Sequence, residues 1–68
     1  MMHPIDAAIF DGRLTADLLD RHAHEPLPAE GCSYWGDAMR RDNDPIRAAG
    51  RAARAMGATL ESLRGVRR

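Results

Sequence analysis

Residues 44–64 read DPIRAAGRAARAMGATLESLR, and this stretch decides the fold. Its apolar residues recur at intervals of three and four, so they lie on one side of a helix. The apolar set is Ile46, Ala49, Ala53, Met56, Leu60 and Leu63. The opposite side carries the arginines Arg47, Arg51 and Arg54. The pattern predicts an amphipathic helix with one face that packs and one face of positive charge.

The start of this helix is well marked, but its length depends on Gly57. Asp44 suits the N-cap, and Pro45 suits the first helical position. If the helix runs through Gly57, it covers about 45–64, is the longest helix of the chain, and serves as a core or partner-binding helix. If it ends at Gly57, the glycine forms a turn between two shorter helices.

The second alternative resembles a bacterial helix-turn-helix, a DNA-binding motif. The spacings of that motif are met by Ala53, Gly57, Leu63 and Val66. The resemblance implies a turn at Gly57 and DNA contacts from Thr59, Ser62, Arg64, Arg67 and Arg68. The implied recognition helix is short, however, and it carries Glu61, whose negative charge opposes DNA. DNA binding is therefore the alternative function.

Three further helices are predicted upstream of residue 44. They cover Pro4 to Asp11, a segment capped by Thr15 that runs to about His24, and about Ser33 to Arg41. Leu14 and Leu19 are spaced to form a hydrophobic staple around the Thr15 cap. No alternating β pattern of useful length occurs. We therefore expect an all-α fold, a single helical domain over 1–68 built as a bundle of four or five short helices.

The predicted core is small, as a chain of 68 residues requires. Its members are Ile5, Ile9, Phe10, Leu14, Leu18, Leu19, Trp35, Met39, Ile46, Ala53, Met56, Leu60 and Leu63. Cys32 is the only cysteine, so no disulfide within the chain can supplement this core. Self-association, as in a homodimer, or a larger partner would supply the missing burial.

The net charge of zero conceals a strong asymmetry along the chain. Residues 1–37 hold seven acidic groups and two arginines, a balance of −5, and residues 38–68 hold eight arginines and three acidic groups, a balance of +5. Every basic residue is arginine, which a GC-rich genome could also produce. This polarity predicts either neutralisation between the two halves or a partner surface of negative potential.

These features favour a small non-enzymatic binding module of the accessory, adaptor or inhibitor type, with a protein partner or a second copy of itself. The predicted contact residues are Arg47, Arg51, Arg54, Tyr34, Trp35, Arg40 and Arg41, because Trp, Tyr and Arg dominate binding hot spots. An inhibitor encoded by a phage or plasmid fits the same class. Its acidic side chains would stand in for phosphates, and the acidic cluster comprises Asp6, Asp11, Asp17 and Asp20.

Catalytic, metal and membrane functions are poorly supported by the residues. Cys32 has no adjacent base, and His22 and His24 point to different sides of a helix, so we expect no catalytic residue, no metal site and no cofactor. No small-molecule substrate is expected in a chain with so little room for a cleft. The first residues lack the pattern of a signal peptide, and no apolar run could span a bilayer. A cytoplasmic location and no membrane contact are expected.

Overall fold

Four helices make up the part of the chain that the structure describes, residues 2–58 and residue 63 of a computed structural model. They are α1 (Pro4–Asp11), α2 (Ala16–Ala23), α3 (Tyr34–Asp42) and α4 (Pro45–Met56). No strand occurs in these described residues. The predicted all-α bundle is confirmed, and α4, the last of the described helices, is the longest.

Each helix begins at a side chain that accepts a hydrogen bond from a backbone N–H of the first turn. These N-cap residues are His3, Thr15, Ser33 and Asp44. The predicted caps at Thr15 and Asp44 are therefore confirmed, and proline occupies the first turn of α1 and of α4 as expected. The capping side chains satisfy N–H groups that have no partner within the helix.

α4 ends at Gly57, so of the two alternatives left open for this helix, the one that runs through Gly57 to about residue 64 is not the one found. Gly57 has a φ of 74° in the left-handed region, and its N–H lies 3.2 Å from the carbonyl oxygen of Arg54. The N–H of Ala58 donates to the carbonyl oxygen of Ala53 at 2.8 Å. This pair of bonds is a Schellman motif, which terminates a helix because glycine adopts positive φ without steric cost.

The core is formed by residues from all four helices, and Trp35 is its largest buried side chain. Its buried apolar members are Ile5, Ala8, Ile9, Leu14, Leu19, Trp35, Ala38, Met39, Ala48, Ala49, Ala52 and Ala53. α3 and α4 pack on each other more extensively than any other pair of described helices. Four of the five alanines of α4 are all but fully buried, and their small side chains permit this close approach.

Two large residues of the predicted core are exposed instead, which corrects the prediction. Phe10 is 66% exposed and Ile46 is 53% exposed. At 3.6 residues per turn, Ile46 lies about 90° from the centre of the buried alanine stripe, and Phe10 lies about 100° beyond Ile9. The apolar pattern thus included Ala49 and Ala53, which are buried, but it also included the exposed Ile46 and omitted the buried Ala48 and Ala52.

The remaining core predictions are met in part. Leu18, Met56 and Leu63 are partly buried and pack against the core. Leu60 lies outside the described residues. Within 2–58 and residue 63, no helix has both the length and the apolar character that spanning a bilayer requires.

Two glycines should respond in opposite directions to replacement by alanine. A Cβ at Gly36 would lie 2.9 Å from Cδ of Pro28, whereas a Cβ at Gly50 meets no atom within 4 Å. We expect Gly36→Ala to lower the free energy of unfolding by about 1–3 kcal/mol through overpacking. We expect Gly50→Ala to raise it by about 1 kcal/mol, because alanine is the better helix former. Thermal unfolding followed by circular dichroism measures both, and a shift of the same sign in both would contradict the packing of Pro28 on α3.

Candidate functional site: the α3–α4 groove

A groove between α3 and α4 brings together three of the predicted partner-binding residues, Tyr34, Arg41 and Arg51. Its volume is about 360 Å³, at the lower end of the range of ligand pockets. The lining residues of this α3–α4 groove are Tyr34, Asp37, Ala38, Arg41, Arg51 and Ala55. The groove is therefore large enough for a few side chains of a partner.

Helix geometry explains why these residues meet. Tyr34, Ala38 and Arg41 are spaced i, i+4 and i+7, so they form one stripe along α3. Arg51 and Ala55 are four residues apart and lie on the flank of α4 that borders this stripe. The turn 43–44 joins the two helices through Asn43, whose φ of 59° reverses the chain within two residues. The short turn holds the two flanks side by side.

Among the described residues, the ionic contacts leave one cation of the groove, Arg41, without an ion pair. Oδ1 of Asp37 accepts hydrogen bonds from Nη1 of Arg40 at 2.8 Å and from the N–H of Gly31 at 3.1 Å. Nε of Arg51 donates to Oδ2 of Asp42 at 3.2 Å. Within the described residues, Arg41 forms no ion pair. An anionic group of a partner would therefore not have to displace a carboxylate of these residues in order to bind Arg41.

Asp42, at the end of α3, draws two of the predicted recognition arginines into structural contacts. Nε of Arg51 lies 3.2 Å from Oδ2, and Nη1 of Arg47 lies 3.5 Å from Oδ1. Nε of Arg47 also lies 3.6 Å from Oδ2 of Asp44. The arginine side of each pair is exposed, so each pair contributes about 0–1 kcal/mol. The row of arginines on α4 is therefore partly neutralised by aspartates of its own half of the chain.

The other predicted site residues are scattered. Arg54 is exposed, lies outside the groove lining and has no ion pair in the described part of the chain. Trp35 is only 1% exposed, so its side chain belongs to the core, as the core prediction has it, and it does not line the groove. Arg40 forms an ion pair with Asp37. The residues of the DNA-binding alternative, Thr59, Ser62, Arg64, Arg67 and Arg68, lie outside the described residues.

Comparison with protein-family models, curated proteins and solved structures finds no match.

Asp6, one of the four aspartates of the acidic cluster, is buried and joins α1 to α3. Asp6 is 2% exposed, and its Oδ1 accepts a hydrogen bond from the backbone N–H of Trp35 at 3.0 Å. Oγ of Ser33 accepts from the N–H of Gly36 at 3.0 Å. Both donors belong to the first turn of α3, whose positive end favours a negative group. Asp6 therefore fixes the orientation of α3, on which Tyr34 and Arg41 are carried.

His3 lies on the other side of this junction and caps α1. Its Nδ1 accepts a hydrogen bond from the N–H of Ile5 at 3.0 Å, and its ring stacks on Trp35 with centroids 5.5 Å apart. The ring of His22 contacts it edge-on at 5.4 Å. Burial lowers the pKa of His3 below its ordinary value of 6.5, and His22 acts in the same direction, whereas Asp6 and Glu25 oppose the shift. The neutral ring is therefore the form that the fold favours.

His3→Asn should reduce the sensitivity of the fold to acid. Since the pKa of His3 is lowered in the folded state, its contribution to stability is complete above pH 6.5 and is lost as the pH falls through the folded pKa. Protonation also removes the Nδ1 acceptor of the cap, which contributes about 1 kcal/mol. Asparagine keeps a capping acceptor and does not titrate.

Urea unfolding of wild type and His3→Asn at neutral and at mildly acidic pH tests this expectation. The control is His24→Asn, which alters an exposed histidine and should leave the acid sensitivity as it is. Equal loss of stability in wild type and His3→Asn would show that the acid sensitivity comes from other groups.

The histidines do not assemble a metal centre in the described part of the chain. Nδ1 of His22 lies 2.9 Å from Oε2 of Glu25, and His24 is exposed. Within 2–58 and residue 63, no group of three or more His, Cys, Asp and Glu side chains could hold a metal ion. His22 instead pairs with Glu25 at the end of α2 and contacts the ring of His3.

Proposed function

We propose that this chain is a small non-enzymatic binding module that engages a partner protein through the α3–α4 groove. The observation that carries the proposal is the pairing of a half-exposed Tyr34 with the cation of Arg41 in one concave site. Tyrosine and arginine are enriched among the residues that contribute most to protein binding. A concave site also allows such residues to be desolvated on contact, which strengthens their interactions.

The lining of the groove favours binding over catalysis. Its described residues include no histidine, cysteine or serine that could act as a base or nucleophile. Asp37 is engaged by Arg40 and by the N–H of Gly31. The free thiol of Cys32 is exposed and suits a reducing compartment, so the proposal places the module in the cytoplasm, as an accessory, adaptor or inhibitor of a larger assembly.

One observation supports the helix-turn-helix alternative, namely that α4 ends at Gly57. The described surface nevertheless favours a protein over DNA. Residues 2–58 contain seven arginines and nine acidic residues, so their formal charge is 7 − 9 = −2. DNA binding depends on neutralising many phosphates, and Asp42 and Asp44 already neutralise part of the arginine row. We therefore keep DNA binding as an outcome of the test.

Site-specific photocrosslinking in the source cells tests the proposal. p-Benzoylphenylalanine is introduced at position 55, in the groove, and in a second variant at position 13, an exposed position after α1. We expect one protein adduct of defined mass from position 55 and none from position 13. Adding Tyr34→Ala to the position 55 variant should reduce the adduct several-fold, because a hot-spot residue contributes about 2 kcal/mol or more.

Two outcomes would contradict the proposal. A nucleic-acid adduct at position 55, together with salt-sensitive retention on duplex DNA, would establish the helix-turn-helix alternative. Equal adducts from positions 55 and 13 would show that the contacts are not specific to the groove. Circular dichroism of each variant shows whether the helices are retained.

A further inference from the structure

We infer that the α3–α4 groove binds an acidic segment of its partner, in which an apolar side chain is flanked by carboxylates. This inference rests on the proposed function and names the chemistry of the partner. It follows from the distribution of charge and apolar surface inside the groove, which is lined by a tyrosine, two alanines and a cation, Arg41, that has no ion pair within residues 2–58 and residue 63.

The cationic side of the groove selects for carboxylates. Arg41 has no ion pair among the described residues, and Arg51 shares its charge with Asp42 through a single bond of 3.2 Å from Nε. An arginine has five N–H donors in a planar fork, so Arg51 keeps donors for a second acceptor. Carboxylate groups pair with this fork through two parallel hydrogen bonds. The two arginines together therefore offer more donors than the protein itself uses.

The apolar side of the groove selects for a hydrophobic neighbour of those carboxylates. Ala38 and Ala55 contribute small side chains, and Tyr34 is 51% exposed along the same stripe of α3. An aromatic or aliphatic side chain placed between them would cover the tyrosine ring and the alanine methyl groups. A volume of about 360 Å³ suits one such side chain with its neighbours rather than a broad surface.

The same features disfavour a nucleic-acid phosphate as the occupant. Asp37 lines the groove, and Asp42 pairs with Arg51 at its edge, so a continuous backbone of phosphates would pass close to both carboxylates. A peptide can place its carboxylates on the arginines and leave the aspartates in contact with water. The mixed charge of the groove thus favours a discrete anionic group over a run of them.

Selection from a phage-displayed library of random 12-residue peptides on the full chain tests the inference. We expect enrichment of peptides in which an aromatic or aliphatic residue is flanked by Asp or Glu. The most enriched peptide is then synthesised and its affinity is measured by fluorescence polarisation. Arg41→Gln should weaken binding about tenfold or more, since a hydrogen bond between charged groups contributes about 1.5–3 kcal/mol. Tyr34→Ala should weaken it to a similar extent.

The matched control is Arg54→Gln, which removes an arginine of α4 outside the groove and should change the affinity less than twofold. No enrichment, enrichment of basic or uncharged peptides, or acidic peptides that bind Arg41→Gln as well as wild type would each overturn the inference. If position 55 still crosslinks to a protein in those cases, the proposed function stands and only the acidic partner is rejected. If it crosslinks to nucleic acid, both are rejected.

Discussion

Trp35→Ala is expected to leave the chain largely unfolded at room temperature. Trp35 is the largest of the buried side chains of the core and is 1% exposed. Truncating a buried tryptophan to alanine costs about 3–5 kcal/mol, and a domain of this size has only about that much stability in total. Far-ultraviolet circular dichroism in the absence of denaturant should show loss of most of the helical signal.

Trp35→Phe provides the matched comparison and should be far milder. The indole Nε1 is buried and has no hydrogen-bond partner among the described residues, so its N–H is an unfavourable feature of the core. Phenylalanine removes that donor and keeps most of the apolar surface, so we expect a loss of about 1 kcal/mol. If Trp35→Ala is as stable as Trp35→Phe, the stability of the core does not depend on a large side chain at this position.

Asp6→Ala is expected to have the second largest effect, a loss of about 2–3 kcal/mol in the free energy of unfolding. The substitution leaves the N–H of Trp35 buried without an acceptor and removes a carboxylate from the positive end of α3. Asp6→Asn keeps an acceptor oxygen and should cost about 1 kcal/mol, the part that depends on charge. Urea unfolding measures both values.

Hydrogen exchange gives a second, local readout for Asp6. The amide proton of Trp35 should exchange faster in Asp6→Ala than in wild type under native conditions. Asp11→Ala, which alters an exposed carboxylate of the same helix, is the control and should change stability by less than about 0.5 kcal/mol. If Asp6→Ala and Asp11→Ala change the free energy of unfolding and the exchange rate of the Trp35 amide equally, the buried carboxylate has no structural role.

The helix boundaries were predictable because they depend on local chemistry. Pro4, Thr15 and Asp44 act on the residues next to them, and the structure has α1, α2 and α4 begin where these residues indicate. The end of α4 was harder to predict, because a glycine can either continue a helix at a cost of about 1 kcal/mol or end it in the left-handed conformation. The Schellman hydrogen bonds around Gly57 show that the folded chain adopts the second of these conformations.

Burial was less predictable, since it depends on which neighbours approach. Ile46 is more hydrophobic than Ala48 and Ala52, yet the fold buries the alanines because α3 packs closely against α4. Asp6 is buried because a backbone donor 29 residues away needs an acceptor, and no local pattern reveals that contact. The α3 side of the groove is predictable from the sequence, because the i, i+4, i+7 spacing of Tyr34, Ala38 and Arg41 places them on one stripe.

The two-residue turn between α3 and α4 also bears on the order in which the chain folds. It closes a very short loop, so the contacts between these helices join residues that are close in sequence and are fast to form. The bond from Trp35 to Asp6 closes a much longer loop of 29 residues. We therefore expect the α3–α4 hairpin to assemble first and α1 to dock on it afterwards, so that the groove takes shape before α1 and its buried carboxylate are in place.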